Sequence, residues 1–223
     1  MNLALFDLDH TLIPFDSGMA WTRRLIAHGH LPAEAEERYL GYARQYVAGT
    51  LDIRAMHRAV MAPWLGQPRS TLDAWVTEFR QDMAQRVPAS TLALVARHRS
   101  AGDLCAIVTA TTRLIAAPFG GLFDIPTVIA TEAATIDGTP GAAFTGEIDG
   151  EPCYREYKLQ HVRRWLARLG LSLEGFARSW FYSDSASDLP LLDAVTDPVA
   201  AWPDDRLREL AMQRGWPILE PAR

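Results

Sequence analysis

The chain opens on an unbroken apolar run, Leu3-Ala4-Leu5-Phe6, that ends at an aspartate, and its length predicts a short buried strand. Pro14 then interrupts the pattern, and over about 16–86 the apolar spacing becomes helical. Trp21 and Leu25 stand four apart. Tyr39, Tyr42 and Tyr46 follow at spacings of three and four, and Ile53, Met56, Val60 and Met61 make a third stripe. The clearest stripe is Leu72, Trp75, Val76, Phe79 and Met83, headed by Ser70-Thr71-Leu72-Asp73, which has the form of a capping box with Asp for Glu. Pro32, Pro63, Gly66 and Pro68 punctuate these helices, so a small helical bundle is expected.

After Pro88 the pattern alternates. A helix is expected over 90–100, stopped by Gly102, then a strand over 104–108, a short helix over 113–117 and a strand over 127–130. Asp137-Gly138 and Asp149-Gly150 are turn dipeptides around 143–148, which predicts a hairpin-like excursion. A helix over 157–169 follows, with Leu159, Val162, Trp165, Leu166 and Leu169 on its buried face and Gly170 at its end. Strand 179–182, helix 189–195, strand 198–201, helix 205–213 and a last edge strand at Ile218-Leu219 complete the chain. Strands alternating with helices imply an α/β fold: a Rossmann-like, mostly parallel sheet with helices on both faces. The helical block interrupts that alternation after the first strand. It is therefore expected to be an all-helical cap over 15–87, inserted into a core made of 1–14 and 88–223.

The 223 residues can bury a sizeable core, and 48% hydrophobic with 22% charged residues is ordinary for a globular protein. A net charge of -5 argues against a broad nucleic-acid-binding face. No apolar run approaches the roughly 20 residues of a membrane span. The N-terminal run meets Asp7 too soon for an export signal, so cytoplasmic residence is expected. Cys105 and Cys153 make neither a disulfide framework nor a zinc-type spacing, and Cys105 reads as a small core residue. Among 22 basic residues, Lys158 is the single lysine.

Four segments carry candidate chemistry: Asp7-Leu8-Asp9-His10-Thr11 after the first strand, Thr109 after Ile107-Val108, Lys158, and Ser183-Asp184-Ser185-Ala186-Ser187-Asp188. Open α/β sheets bind ligands beyond the carboxyl ends of their strands, so Asp7, Thr109 and Asp184 can converge at one edge and Lys158 can reach it from a helix start. Residues two apart on extended chain share a side, which lets Asp7 and Asp9 face one site. Adjacent carboxylates repel, Asp184 and Asp188 add to the repulsion, and a magnesium ion would relieve it. Asp7 can then attack phosphorus and form an aspartyl-phosphate. Asp9 is placed to protonate the leaving oxygen and then to activate water. The Thr109 hydroxyl, nearby backbone N–H groups such as that of Ala110, and the Lys158 charge suit the phosphoryl oxygens.

In this order the four segments resemble the haloacid dehalogenase superfamily of phosphohydrolases, in the phosphoserine-phosphatase-like branch with a helical cap between the first and second motifs. The resemblance covers nearly the whole chain. It implies Asp7 as nucleophile, Asp9 as acid and base, Thr109 and Lys158 as phosphate ligands, and Asp184, supported by Asp188, as magnesium ligand together with Asp7 and the Asp9 carbonyl. Asp16 sits where phosphoserine phosphatases have a glutamate for the substrate's amine. Two positions depart: Thr109-Ala110-Thr111-Thr112 where those enzymes follow a serine with paired glycines, and Ser183-Asp184-Ser185 where they tend to have Gly-Asp-Gly. Related bacterial chains are called histidinol-phosphatase-like, and an amine near Asp16 suits that substrate too.

The expected activity is thus magnesium-dependent hydrolysis of a small phosphorylated metabolite, with histidinol phosphate and phosphoserine as candidates and no nucleic-acid or membrane partner. A phosphotransferase or phosphomutase is the enzymatic alternative. A receiver-like signalling module is a further one, although receivers lack a large insertion after the first strand. Asp16 is equally readable as a helix cap before Met19, Asp188 as a cap for the helix near Leu189, and the tyrosine stripe as packing. His10 is assigned no role.

Overall fold

Along β1 (Leu3–Phe6) alternate residues face opposite ways: Leu3 and Leu5 enter one apolar cluster, Ala4 and Phe6 the other, and all four are fully buried. A strand buried on both faces requires cover on both. The computed structural model describes residues 1–139 and 141–220. The remaining strands are β2 (Leu104–Thr112), β3 (Val128–Thr131), β4 (Ala133–Thr135), β5 (Phe144–Ile148), β6 (Ser179–Ser183), β7 (Asp197–Ala201) and β8 (Ile218–Leu219). Among the described residues, six of them form a parallel sheet in the order β3-β2-β1-β6-β7-β8, while β4 and β5 make a separate antiparallel hairpin.

Between β1 and β2 lie α1 (Ser17–Ala27), α2 (Glu34–Val47), α3 (Ile53–Met61), α4 (Arg69–Ala84) and α5 (Ala89–Ser100). After β2 come α6 (Arg113–Leu122), α7 (Glu156–Arg168), α8 (Leu189–Leu192) and α9 (Asp205–Arg214). Residues of α7, α8 and α9 pack with Leu3, Leu5 and Phe181 on one face of the sheet. On the other face the α5 and α6 residues Leu94, Val95, Ile115 and Phe119 join Phe6 and Ile107, and this cluster continues into the inserted helices. Trp21 stacks on Trp64 with ring centroids 4.6 Å apart and meets Phe79 edge-on at 5.1 Å, and Phe79 meets Phe119 edge-on at 6.0 Å. Such aromatic pairs add about 0.5–1.5 kcal/mol each beyond the area they bury. The apolar stripes of α1 and α4 are therefore spent on the sheet side of the molecule.

Several boundaries depart from expectation. The capping box at Ser70 is not formed: Pro68 gives the extended entry, α4 starts at Arg69, and no side chain caps it. β2 runs on to Thr112, and α6 continues through Pro118 to Leu122, where Phe119 and Gly120 are buried. Gly120 lies so close to β3 that a Cβ there would stand 2.7 Å from Val128 Cγ2 and 2.9 Å from the Ile125 carbonyl oxygen. α8 stops at Leu192, where a tight turn closed by the Ala194 N–H on the Leu191 carbonyl returns Val195 to the core. Leu169 is 52% exposed rather than on the buried face. The reason is a Schellman ending, in which the N–H groups of Gly170 and Leu171 bond the carbonyls of Ala167 and Leu166, so that Leu171 packs back instead. No helix among the described residues is long and apolar enough to cross a membrane.

Candidate active site

Strand order reverses at β1, with β2 on one side and β6 on the other, and that switch point is where an open sheet leaves a crevice at its carboxyl edge. Phe6 is in register with both Ile107 and Tyr182, so Asp7, Thr109 and Asp184 all lie just past that line. The Asp7 N–H still donates to the Tyr182 carbonyl at 2.9 Å, which makes the first carboxylate an extension of the central strand. A bulge shapes the neighbouring edge: Val108 to Thr112 on β2 runs opposite only Ile129 to Thr131 on β3. Bulges re-aim side chains beside active sites. Here the Thr131 hydroxyl donates to the Ala110 carbonyl at 2.7 Å and the Thr111 N–H to Thr109 Oγ1 at 3.2 Å.

Lys158, in the first turn of α7, is the hub. Its Nζ donates to Asp7 Oδ1 and to Asp188 Oδ2, both at 2.7 Å, and all three side chains are buried. Asp188 Oδ2 also accepts from the Ser183 hydroxyl at 2.7 Å, so it holds Lys158 rather than capping α8. The Thr11 hydroxyl lies 3.4 Å from Asp7 Oδ2 and 3.3 Å from Asp184 Oδ1, tying those two carboxylates together. Asp9 faces the inserted helices: its Oδ1 accepts from the Ser17 N–H at 2.7 Å and its Oδ2 from the Thr111 hydroxyl at 2.6 Å. Asp7, Asp184, Lys158 and Asp188 thus meet directly or through Thr11, and Asp9 and Thr109 are joined to each other through Thr111.

Burial pushes the Asp7 carboxyl up to about 6 against the pull of Lys158. Burial, followed by the charge of Asp16, raises Asp9 to about 7. Asp184 is driven well above the ordinary carboxylate range by burial and then by Asp7 and Asp188. Burial alone would lower Lys158, but Asp188 and Asp7 outweigh it and keep the ammonium charged. Three carboxylates around one ammonium leave an excess of negative charge. Asp188 Oδ1 is moreover buried without a hydrogen-bond partner. Among the described residues no three His, Cys, Asp or Glu side chains converge as a complete metal cage. Magnesium does not need one, because it keeps several waters and uses one or two carboxylates together with substrate phosphate. The donor set fits that ion.

Asp16 caps α1, accepting from the Met19 N–H at 2.7 Å, and the same Oδ1 accepts from the Tyr39 hydroxyl at 2.6 Å. Gly18 makes room for that hydroxyl, which would lie 2.1 Å from a Cβ. Thr11, Ser17, Thr111 and Ser183 are contacts that sequence reasoning did not assign; Thr11, Thr111 and Ser183 stood inside the quoted segments without a role, whereas Ser17 carried no signal of its own. Above Thr111 a cavity of about 30 Å3 separates the insertion from the sheet edge, lined among others by Tyr39, Met56, His57, Val60, Ala110 and Thr112.

The chain is similar to known proteins over most of its length. A family model described as haloacid dehalogenase-like hydrolase matches residues 4–193. A protein of Neisseria meningitidis called histidinol-phosphatase is 37% identical over 220 residues, covering 98% of each chain. A Bordetella pertussis protein of unknown function has a crystal structure that superposes with a TM-score of 0.88 at 40% identity, over 98% of this chain and 97% of the other. A substrate-bound phosphoserine phosphatase shares the fold, with a TM-score of 0.67 at 17% identity over 98% of this chain and 92% of that one.

Proposed function

We propose that this chain, which belongs to the haloacid dehalogenase-like hydrolases and is a phosphatase, uses magnesium and an aspartyl-phosphate on Asp7 to hydrolyse a small amino-alcohol phosphate, with histidinol phosphate the leading candidate. The observation that carries the reading is the buried Lys158 ammonium, shared at 2.7 Å between Asp7 and Asp188 and linked through Thr11 to Asp184.

Asp7 attacks the phosphorus of the ester, the bond to the leaving oxygen breaks, and Asp9 gives that oxygen its proton. Asp9 then takes a proton from water, whose oxygen attacks the phosphorus and releases inorganic phosphate from Asp7. A carboxyl near 7 is suited to both transfers at neutral pH. Ser17 and Thr111 aim Asp9, while Thr109, the Ala110 backbone and Lys158 receive the phosphoryl oxygens. Asp7, the Asp9 carbonyl and Asp184, with Asp188 in support, would hold a magnesium ion that neutralises phosphoryl charge. The helices over 15–87 act as the cap: a cavity of about 30 Å3 has room for a water or two, so the leaving group enters only when they part from the sheet edge.

The cavity lining favours a cationic leaving group over an anionic one. It contains no Lys or Arg, its one imidazole, His57, is held below its ordinary value by burial, and Asp9 and Asp16 stand beside it. Histidinol phosphate presents an amine and no carboxylate, whereas phosphoserine brings a carboxylate with no partner there. A screen of phosphorylated metabolites tests this, with histidinol phosphate expected to give the highest kcat/KM and phosphoserine a value at least tenfold lower; the reverse order refutes the substrate assignment. Asp7→Asn should abolish phosphate release from 4-nitrophenyl phosphate while the circular dichroism stays unchanged, and retained turnover would remove Asp7 as nucleophile.

A further inference from the structure

The end of α2 touches both segments that deliver the charged cluster. The Tyr46 hydroxyl lies 3.1 Å from Ser185 Oγ and 2.8 Å from Ser187 Oγ, the residues directly after Asp184 and directly before Asp188. Ser185 in turn caps the short 3-10 turn Ala186–Asp188, its Oγ accepting from the Ser187 N–H at 3.2 Å. The Tyr46 ring sits 5.7 Å from that of Tyr154. Three residues beyond Tyr46, the Gly49 carbonyl accepts from the Arg155 guanidinium at 2.9 Å, three residues ahead of Lys158. Arg155 holds φ 51° and ψ −129°, a conformation costly for a residue with a side chain, and such strain persists only where surrounding contacts enforce it. The nearby ion pairs Arg54–Glu151 and Arg58–Glu147, at 3.2 Å each, are solvent-exposed and contribute little.

We infer that Tyr46 is a positioning residue: its hydroxyl couples docking of α2 to the segment holding Asp184 and Asp188, so the cluster around Lys158 is set when the inserted helices close. This rests on the phosphatase reading of the site and adds to it the contact that links closure to chemistry. Tyr46 touches neither Asp7 nor Asp9 and acts only through Ser185 and Ser187.

The full chain carrying Tyr46→Phe, Ser187→Ala or both tests this. Tyr46→Phe removes only the hydroxyl, so the melting temperature should stay within about 2 °C of the parent. Amide hydrogen exchange over 184–188, measured without ligand, should speed up about fivefold, the loss expected for one net hydrogen bond, while exchange in β1 and β2 is unchanged. For 4-nitrophenyl phosphate kcat/KM should fall by about the same factor. The double variant should lose less than the product of the two single losses, because both single variants remove the Tyr46–Ser187 contact. Multiplicative losses in the double variant, or unchanged exchange over 184–188, would overturn the inference. Parent protein that released no phosphate would instead defeat the phosphatase reading, and the exchange result would still judge the latch.

Discussion

Asp9 shows how a single side chain is tuned by its contacts. Thr111 and Ser17 donate to its two oxygens, at 2.6 Å and 2.7 Å, while burial and the neighbouring Asp16 raise it to about 7. Thr111→Val removes a charge-assisted bond worth about 1.5–3 kcal/mol, so turnover of an alkyl phosphate should fall about ten- to hundredfold. 4-Nitrophenyl phosphate, whose leaving group needs little help from an acid, should lose less. Equal losses for both esters would mean that Thr111 does not aim the acid. Lys158 is a poorer probe, because its removal leaves Asp7 and Asp188 buried without their cation, which destabilises by about 3–5 kcal/mol and confounds activity with folding. At this scale the acidic segments were legible in the sequence only as members of a set, since a pair of aspartates is common in loops but Asp7, Thr109, Lys158 and Asp184 each stand where an element can bring them to one sheet edge. Thr111 was not, since a threonine just past an apolar run has many uses. Asp16 was readable both as helix cap and as substrate contact; the structure shows the capping bond, and a substrate contact remains part of the proposal.

Elements place these side chains through packing, and α6 is the clearest case. Its Gly120 lets the helix sit against β3, with Val128 Cγ2 and the Ile125 carbonyl closer than any Cβ tolerates. Helix propensity alone predicts that Gly120→Ala gains about 1 kcal/mol. The packing predicts the opposite, a loss of about 1–3 kcal/mol as helix and strand move apart. Urea denaturation decides the sign, and a more stable variant would show that α6 is not seated as described. Periodicity located nearly every element because one buried face writes its spacing into the chain. The boundaries that moved did so where tertiary contact outweighs local preference: β2 continues past Val108 because its bulge pairs Thr112 with Thr131, and Leu169 is displaced by Leu171 at a left-handed glycine.

For the whole molecule, the decisive quantity is the charge gathered at the end of β1. Chelation by EDTA should stop phosphate release and added magnesium should restore it. Magnesium should also raise the melting temperature of the parent chain by mass action, and much less so that of Asp184→Asn; equal rises in both would remove Asp184 from the metal site. The helices between β1 and β2 supply Gly18, Tyr39, Ile53, Met56, His57 and Val60 to a cavity whose other walls are β2, β3 and α6, so under the proposed function the leaving group meets residues far from Asp7 in the sequence. The sequence by itself determined the alternation of strand and helix and the run of helices between the first two strands, and it singled out the residues that the proposed site uses, because buried periodicity and paired carboxylates are local properties. Only the tertiary structure decided that Thr11 joins Asp7 to Asp184, that Ser17 and Thr111 hold Asp9, and that Tyr46 reaches Ser185 and Ser187. Those contacts bridge up to 173 positions along the chain, as for Thr11 and Asp184, and no local preference encodes a distance that only chain folding closes.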